Sequence, residues 1–176
     1  MRVLMIIPAY NEEESIFDTV TSILSYRKKV DFDLDYVVIN DGSTDKTKQI
    51  LEDNHFNAVN LVMNLGIGGA VQTGYKYALE HDYDVAVQFD GDGQHDIESL
   101  SDLLEPIRKN EADLVIGSRF VGDVKSEFQT TFMRRFGISV ISNLIKWTTG
   151  QRVLDTTSGY RLADKKEYKD VIVETA

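Results

Sequence analysis

The chain contains no cysteine, which excludes disulfide bonds, a thiolate metal site and a cysteine nucleophile. This absence is consistent with a reducing compartment. No apolar run approaches the roughly 20 residues of a membrane span. Residues 1–8 are too short, and turn polar too quickly, for a signal peptide, so we expect a cytoplasmic protein.

Basic charge is also scarce. The chain has 19 Lys and Arg against 29 Asp and Glu, a net charge of −10, which argues against a nucleic-acid binder. The exception is the range 128–154, which has no acid and four bases: Arg134, Arg135, Lys146 and Arg152. This asymmetry favours an anionic partner near that range.

The 176 residues, 42% of them hydrophobic, are enough for one domain with its own core. Apolar, β-rich runs predict strands at 2–7, 34–39, 58–63, 83–89 and 113–117. Helical spacing of apolar residues predicts helices at 12–28, 44–54, 66–81 and 96–110. We expect Asn11 to cap the first helix and Ser43 or Thr44 to cap the second. The alternation predicts an α/β fold, with a mostly parallel sheet and helices on both faces.

Polar side chains follow each of the five predicted strands. In sheets of this kind ligands bind at the carboxyl ends of the strands, so these residues mark a candidate site. The clusters are Tyr10-Asn11-Glu12, Asn40-Asp41-Gly42-Ser43, Asn64 with Gly66, Asp90 with Asp92, and Ser118-Arg119.

Asp90 and Asp92 leave the end of a buried strand as a pair of carboxylates. At positions i and i+2 of an extended chain they would point the same way, with Cα atoms about 6–7 Å apart. Gly91 and Gly93 leave room for a ligand close to the backbone. Carboxylates that converge in this way suit Mg²⁺ or Mn²⁺. A polar turn is the alternative, because Asp and Gly are also common turn formers.

The other candidate residues also have structural alternatives. Tyr10 is either a core aromatic or a ring that flanks a nucleobase, and Asp41 is either a ligand contact or an Asx-turn residue. The glycines of 66–74 either allow close helix packing or contact a nucleotide. They do not form a dinucleotide fingerprint, because Val71 stands where that pattern needs its third glycine.

Six motifs occur in an order that resembles a known family. They are Pro8-Ala-Tyr-Asn-Glu-Glu13, Asn40-Asp-Gly-Ser-Thr-Asp45, Asn64-x-Gly66 with Ala70 and Gly74, Asp90-Gly-Asp-Gly-Gln94, Gly117-Ser-Arg119 and Asp155-x-x-Ser-Gly-x-Arg161. The set, which runs from residue 3 to about 163, resembles the inverting family 2 glycosyltransferases of GT-A fold. Within that family it is most similar to the polyprenyl-phosphate mannose and glucose synthases.

The resemblance implies a donor site for a nucleotide-sugar. It assigns the nucleoside to residues that follow the first three strands, and the diphosphate metal, Mg²⁺ or Mn²⁺, to Asp90, Asp92 and Gln94. Asp92 would then be catalytic, since the metal that it ligates offsets charge on the departing diphosphate. Asn40 stands where many relatives have Asp, which leaves UDP and GDP open as the donor nucleotide. The full donor set is Pro8, Ala9, Tyr10, Glu12, Asn40, Asp41, Asn64, Gly69 and Asp90.

The resemblance also implies an acceptor side, with phosphate contacts from Arg119, Arg135, Ser139 and Arg161. The acceptor is expected to be a polyprenyl phosphate, which is already an anion, or a glycan precursor. A hydroxyl acceptor would need a general base, for which Asp155 is the candidate, although Asp155 could equally bond within its loop.

Residues 132–147 predict a basic amphipathic helix that contacts an anionic bilayer through the range 128–154, at the cytoplasmic face; a core helix is the alternative. We treat 1–176 as one catalytic domain, with a donor half at 1–120 and an acceptor half at 121–176. Truncation of this domain at its C-terminus is the alternative to a complete one. The competing functions are a nucleotidyltransferase and an inactive or truncated nucleotide-sugar binding domain.

Overall fold

The computed structural model describes residues 1–90, 97–117 and 160–174 of the chain. Six strands form one sheet in the order β3-β2-β1-β4-β6-β5. Pairing is parallel between β1 and β2, β1 and β4, and β2 and β3, whereas β6 runs antiparallel to β4. The strands are β1 (Arg2–Ala9), β2 (Asp33–Asn40), β3 (Ala58–Asn60), β4 (Val85–Gln88), β5 (Leu114–Ile116) and β6 (Arg161–Asp164).

Helices cover both faces of the sheet. They are α1 (Ile16–Tyr26), α2 (Thr47–Asp53), α3 (Gly66–Glu80), α4 (Leu100–Arg108), which follows a 3-10 turn at Ile97–Ser99, and α5 (Lys165–Glu174). Buried residues of α1, α2 and α4 pack in one cluster with Val3, Met5 and Ile7 of β1. Buried residues of α3 and α5 pack in the other, with Leu4 and Ile6.

This arrangement explains why the central strands read as continuous apolar runs. A strand that is covered on both faces has no polar face, and each residue of β1 from Val3 to Ile7 is 0% exposed. Full burial of one such side chain stabilises the fold by about 1.5–3 kcal/mol relative to an exposed position. The predicted α/β architecture is therefore confirmed: β1 to β4 pair in parallel, and β6 joins them antiparallel to β4.

Several predicted boundaries were wrong. α1 begins at Ile16 instead of residue 12, and neither its N-cap, Ser15, nor that of α2, Lys46, makes a side-chain cap bond. The expected caps, Asn11 and Ser43 or Thr44, instead bond across two loops, as described below. The predicted strands at 58–63 and 113–117 shorten to the three residues of β3 and of β5.

One compact unit comprises Met1–Val115 together with Gly159–Ala176, and Ile116–Ser158 form a second unit. The predicted helix at 132–147 lies outside the described residues. Within the described ranges no helix is long and apolar enough to cross a membrane. The proposed division into donor and acceptor halves at residue 120 stays a prediction.

Candidate active site

The strand order reverses between β1 and β4. The chain proceeds from β1 through β2 to β3 on one side, and then returns to place β4 on the other side of β1. A crevice opens at such a reversal, outside the carboxyl ends of the strands, and ligands of parallel α/β sheets bind there. Here these ends carry Tyr10, after β1, and Asp90, two residues after β4. The predicted site therefore lies where the topology favours a ligand.

The loops that follow β1 and β2 are joined by reciprocal hydrogen bonds, which we name the cross-loop clasp (residues 11–13 with 43–47). Three successive amides of the first loop donate to side chains of the second. They run from Asn11 to Ser43 Oγ at 3.0 Å, from Glu12 to Thr47 Oγ1 at 2.8 Å and from Glu13 to Asp45 Oδ2 at 3.1 Å. Each loop thus satisfies backbone groups that would otherwise need water.

The second loop donates back to the first. The Thr44 amide donates to Asn11 Oδ1 at 2.8 Å, and the Lys46 amide donates to Glu13 Oε2 at 2.9 Å. Burial by itself would raise the pKa of Asp45, but hydrogen bonds from Thr47 and from the Glu13 amide outweigh it and lower that pKa. The clasp is therefore strongest while Asp45 is ionised.

Asn40 and Asp41 are buried at the end of β2, with exposed fractions of 2% and 3%. The Asn40 side chain donates from Nδ2 to Asn60 Oδ1 at 2.7 Å and accepts the Ser43 amide at 3.3 Å. Asp41 Oδ1 accepts the Leu65 amide at 2.7 Å, at the N-cap of α3. A carboxylate there satisfies an orphan donor and faces the positive end of the helix dipole.

A third loop, which joins β3 to α3, packs closely against the second. Gly42 has a φ of +68°, and a Cβ at this position would lie 2.7 Å from the backbone nitrogen of Asn64. Only glycine fits this combination of left-handed backbone and close approach. Asn64 itself accepts the Gly66 amide on Oδ1 at 2.9 Å. The predicted residues Asn40, Asp41 and Asn64 are thus brought together by loop packing.

The glycines of α3 differ in what surrounds them. A Cβ at Gly74 would meet Ile6 Cγ2 at 2.2 Å, which supports the packing interpretation for this residue. At Gly69 it would meet Leu65 Cβ at 2.5 Å, within the same turn, whereas at Gly66 and Gly68 it would meet nothing within 4 Å. Gly66 and Gly68 therefore leave the helix N-terminus uncovered, as a nucleotide contact would require.

The residues at the end of β1 differ in how far their side chains are exposed to solvent. Ala9 is 2% exposed and Pro8 is half-buried, so both support the strand end. Tyr10 is 48% exposed, which excludes the interpretation as a core aromatic. Glu12 is half-buried, and its Oε2 accepts the Ser15 hydroxyl at 2.6 Å, which holds the start of α1.

Arg161 begins β6, directly opposite Gln88 in the antiparallel register. Because β6 is antiparallel to β4, Arg161 lies at the carboxyl end of β4. Its partner there, Gln88, is two positions before Asp90 in the sequence. Phe89 and Tyr160 pack edge to face with their ring centroids 5.3 Å apart, and this contact fixes the two strand ends. A guanidinium and a carboxylate are thus carried by neighbouring strands at the crevice.

Other predicted site residues lie outside the described ranges: Asp92, Gln94, Arg119, Arg135, Ser139 and Asp155. In the ranges that the structure does describe, no group of three or more His, Asp or Glu side chains could hold a metal ion. The sequence reasoning also missed Thr47 and Asp45 as partners of the first loop. For Asp45 the signal was the turn sequence Asp-Gly-Ser-Thr-Asp, residues 41–45, which we interpreted only as local turn chemistry; Thr47 lies outside it.

Fold and site together define an α/β domain that is built to bind a ligand at the carboxyl edge of its sheet. The profile of Glycosyl transferase family 2 matches residues 5–170, and the chain belongs to this family. The prediction of a glycosyltransferase is thereby confirmed at the level of the family.

Curated relatives match over most of the chain. An undecaprenyl-phosphate mannosyltransferase of Micrococcus luteus is 38% identical over 92% of this chain and 65% of its own length. A UDP-N-acetylglucosamine–dolichyl-phosphate N-acetylglucosaminyltransferase of Methanococcus voltae is 32% identical over 95% of this chain and 71% of its own length. The chain therefore spans about two thirds of these proteins.

Solved structures share the fold. Glucosyl-3-phosphoglycerate synthase of Mycobacterium tuberculosis, in complex with Mn²⁺, UDP-glucose and phosphoglyceric acid, superposes with a TM-score of 0.69 at 20% identity. The match covers 94% of this chain and 57% of that chain. TarS 1-349 of S. aureus gives a TM-score of 0.61 at 24% identity, over 97% of this chain and 49% of that chain. The predicted GT-A fold is confirmed.

Proposed function

We propose that this chain is the catalytic domain of an inverting glycosyltransferase that moves a sugar from a nucleoside-diphosphate sugar to a phosphorylated lipid acceptor. One observation carries the proposal: Asp90 follows β4 at the β1/β4 reversal, and Arg161 begins the neighbouring strand β6 opposite the last residue of β4. A carboxylate can take a metal-bound diphosphate, and a guanidinium can take a phosphate, so the two charges fit the two anions of the reaction.

The donor nucleoside is assigned to the side of the crevice formed by the ends of β1 and β2. The exposed ring of Tyr10 offers a face for the base, and Asn40 and Asp41 form the floor beside it. Asn40 uses one amide proton on Asn60 and accepts one backbone amide, so a second proton is left for a base carbonyl. UDP and GDP both carry such a carbonyl, and both are donor candidates.

The residues proposed as metal ligands fit a hard divalent cation. Asp90, Asp92 and Gln94 offer only oxygen donors of the type that Mg²⁺ and Mn²⁺ prefer, and no sulfur or imidazole is among them. When bound, the metal would act as a Lewis acid toward the departing diphosphate. The structural neighbour crystallised with Mn²⁺ and UDP-glucose supports this assignment.

The acceptor is proposed to be a polyprenyl phosphate, because the relatives from Micrococcus and Methanococcus carry lipid phosphates in their names. Arg161, with Arg119, Arg135 and Ser139, would hold its phosphate. Such an acceptor is already ionised and needs no general base; Asp155 would act only on a hydroxyl acceptor. The uncompensated bases of 128–154 support contact with an anionic bilayer at the cytoplasmic face.

A thermal-shift screen tests the donor assignment. UDP, GDP and their sugars are added with and without Mn²⁺ or Mg²⁺, and stabilisation by one nucleotide is expected only with metal, by mass action. The same screen on Asp92→Asn should show no metal-dependent shift, and sugar transfer should be abolished with the fold intact. Asp102→Asn, an exposed change on α4, serves as the matched control.

Three outcomes would contradict the proposal. A wild-type chain that no nucleotide stabilises is not a donor-binding domain. Nucleotide stabilisation without transfer to any lipid phosphate would favour the inactive binding domain instead. Unchanged turnover in Asp92→Asn would remove the metal assignment while leaving the donor site in place.

A further inference from the structure

Asn11 adopts a backbone conformation that is uncommon for a residue with a side chain. Its φ is +57°, in the left-handed region. Asparagine tolerates this region better than most residues, because its short polar side chain can form a local hydrogen bond. Here the side chain bonds across the site instead: Oδ1 accepts the Thr44 amide at 2.8 Å and lies 3.3 Å from the Thr44 hydroxyl.

The residues on either side of Tyr10 are both tied to the second loop. The carbonyl of Ala9 accepts the Asp41 amide at 2.8 Å, and the amide of Asn11 donates to Ser43 Oγ at 3.0 Å. The left-handed turn at Asn11 aims the chain so that the second of these bonds can form. The backbone of Tyr10 is therefore held between two fixed points on the loop that also carries Asp41.

We propose that Asn11 is a positioning residue that holds the exposed ring of Tyr10 over Asn40 and Asp41, so that the ring can cover the base of the donor nucleotide. This inference rests on the proposed function. Asn11 itself does not touch the nucleotide in this scheme. It acts through Tyr10, whose ring is 48% exposed.

The rest of the clasp separates this role from a purely structural one. Without the Asn11 side chain, the two loops remain joined by the bond from the backbone amide of Asn11 to Ser43 and by the bonds from Glu12 to Thr47, from Glu13 to Asp45 and from Lys46 to Glu13. The loops should therefore stay folded and attached. What changes is the freedom of the turn at residue 11, and with it the position of the neighbouring tyrosine.

A double-mutant cycle tests the inference. Asn11→Ala, Tyr10→Ala and the double variant are titrated by calorimetry with UDP and with GDP in MnCl₂, using the full chain. We expect Asn11→Ala to raise the dissociation constant about tenfold in the wild-type background and less than about twofold when residue 10 is alanine. For the nucleotide-sugar donor, we expect KM to rise while kcat stays within about twofold of the wild-type value. This is the result expected when binding of the ground state and of the transition state weaken together.

Two further variants separate backbone from side chain. Asn11→Gly keeps access to positive φ but loses the bond to Thr44. We expect this variant to show most of the loss in nucleotide affinity that Asn11→Ala shows. Asn11→Asp keeps an acceptor oxygen for the Thr44 amide and should restore affinity to within about threefold of wild type. Asn110→Ala is the matched control, since Asn110 also has a left-handed φ, +55°, but follows α4.

The outcomes distinguish this inference from the proposed function. If the wild-type chain binds neither nucleotide, the donor function itself fails. If the wild type binds but the effects of Asn11→Ala and Tyr10→Ala add independently, Asn11 does not act through Tyr10 and the inference is overturned. An unchanged dissociation constant in a folded Asn11→Ala variant overturns it as well.

Discussion

A methyl group on Gly74 would lie 2.2 Å from Cγ2 of Ile6, so α3 packs directly on β1 at this point. Ile6 is fully buried, and its branched side chain has little rotamer freedom with which to move aside. The same helix begins at Gly66, beside the crevice, and its first turn is bonded to Asp41. The contact between Gly74 and Ile6 therefore sets how close the helix N-terminus lies to the sheet.

Gly74→Ala is expected to destabilise the fold despite the better helix propensity of alanine. Overpacking costs about 1–3 kcal/mol, whereas the propensity gain is at most about 1 kcal/mol, so a net loss of up to about 2 kcal/mol is expected. Urea unfolding measures it. Gly68→Ala, in the same helix but with nothing within 4 Å of the added Cβ, should be neutral or stabilising. Equal effects at the two positions would contradict the packing argument.

Asp41→Ala should destabilise the chain by about 1–2 kcal/mol, because the part-buried Leu65 amide loses its acceptor and the positive end of α3 loses a negative charge. Chemical denaturation without nucleotide isolates this effect from binding. Asp41→Asn keeps an acceptor oxygen and should recover at least half of the loss. If asparagine were as damaging as alanine, the charge and not the hydrogen bond would be the main contribution.

Stability should fall at alkaline pH because of two buried tyrosines. Burial raises the pKa of both Tyr83 and Tyr168 to about 12, with the neighbouring carboxylate of Asp35 adding to the effect on Tyr83. The raised pKa means that the neutral form is favoured in the folded state. Its contribution is fully present below the unfolded value of 10.0 and is lost as the pH rises toward 12.

The measurement is the unfolding free energy at pH 8, 10 and 11, with phenolate formation followed by absorbance. Tyr168→Phe removes one titration and the hydrogen bond to the Tyr83 carbonyl, which is 2.5 Å long. That variant should be less stable by about 1 kcal/mol at pH 8, with a shallower decline above pH 10. A decline as steep as in the wild type would show that Tyr168 does not contribute to it.

Arg161→Ala is expected to weaken acceptor binding specifically. When a short-chain isoprenyl phosphate is the acceptor, the KM for this acceptor should rise about tenfold or more in the variant. The dissociation constant of the donor nucleotide should change less than about threefold. Arg161→Lys keeps the charge but not the two-pronged geometry and should be intermediate. Lys166→Ala, on α5, removes a charge that is exposed and serves as control. A loss of donor affinity instead would assign Arg161 to the donor diphosphate.

The sequence predicted best those parts of the fold that are governed by burial. β1, β2 and β4 were found because strands that are covered on both faces must be apolar throughout. The starts of α1 and α2 were wrong because Asn11, Ser43 and Thr44 have good capping chemistry, but their hydrogen-bond partners lie more than 30 positions away. A single sequence shows what a side chain can bond to, not which distant backbone group comes within reach.

β6 was missed for a different physical reason. Its four residues include two charged ends, Arg161 and Asp164, and only Leu162 and Ala163 are buried, one in each core cluster. So short a segment shows no periodicity, and it contains no β-branched residue. Arg161 was nevertheless assigned to the site by its motif. Its location opposite Gln88 depends on the antiparallel register, which local sequence does not encode.

The insertion of β6 between β4 and β5 has a consequence for how the protein is made. As the chain leaves the ribosome, β4 emerges early, whereas the strand that completes its hydrogen bonding follows more than 70 residues later. Until then the nascent sheet exposes one open flank, the kind of edge that invites pairing with another polypeptide. A translation arrest before residue 160 would leave that flank uncapped, and such products should be prone to aggregate or to need chaperones.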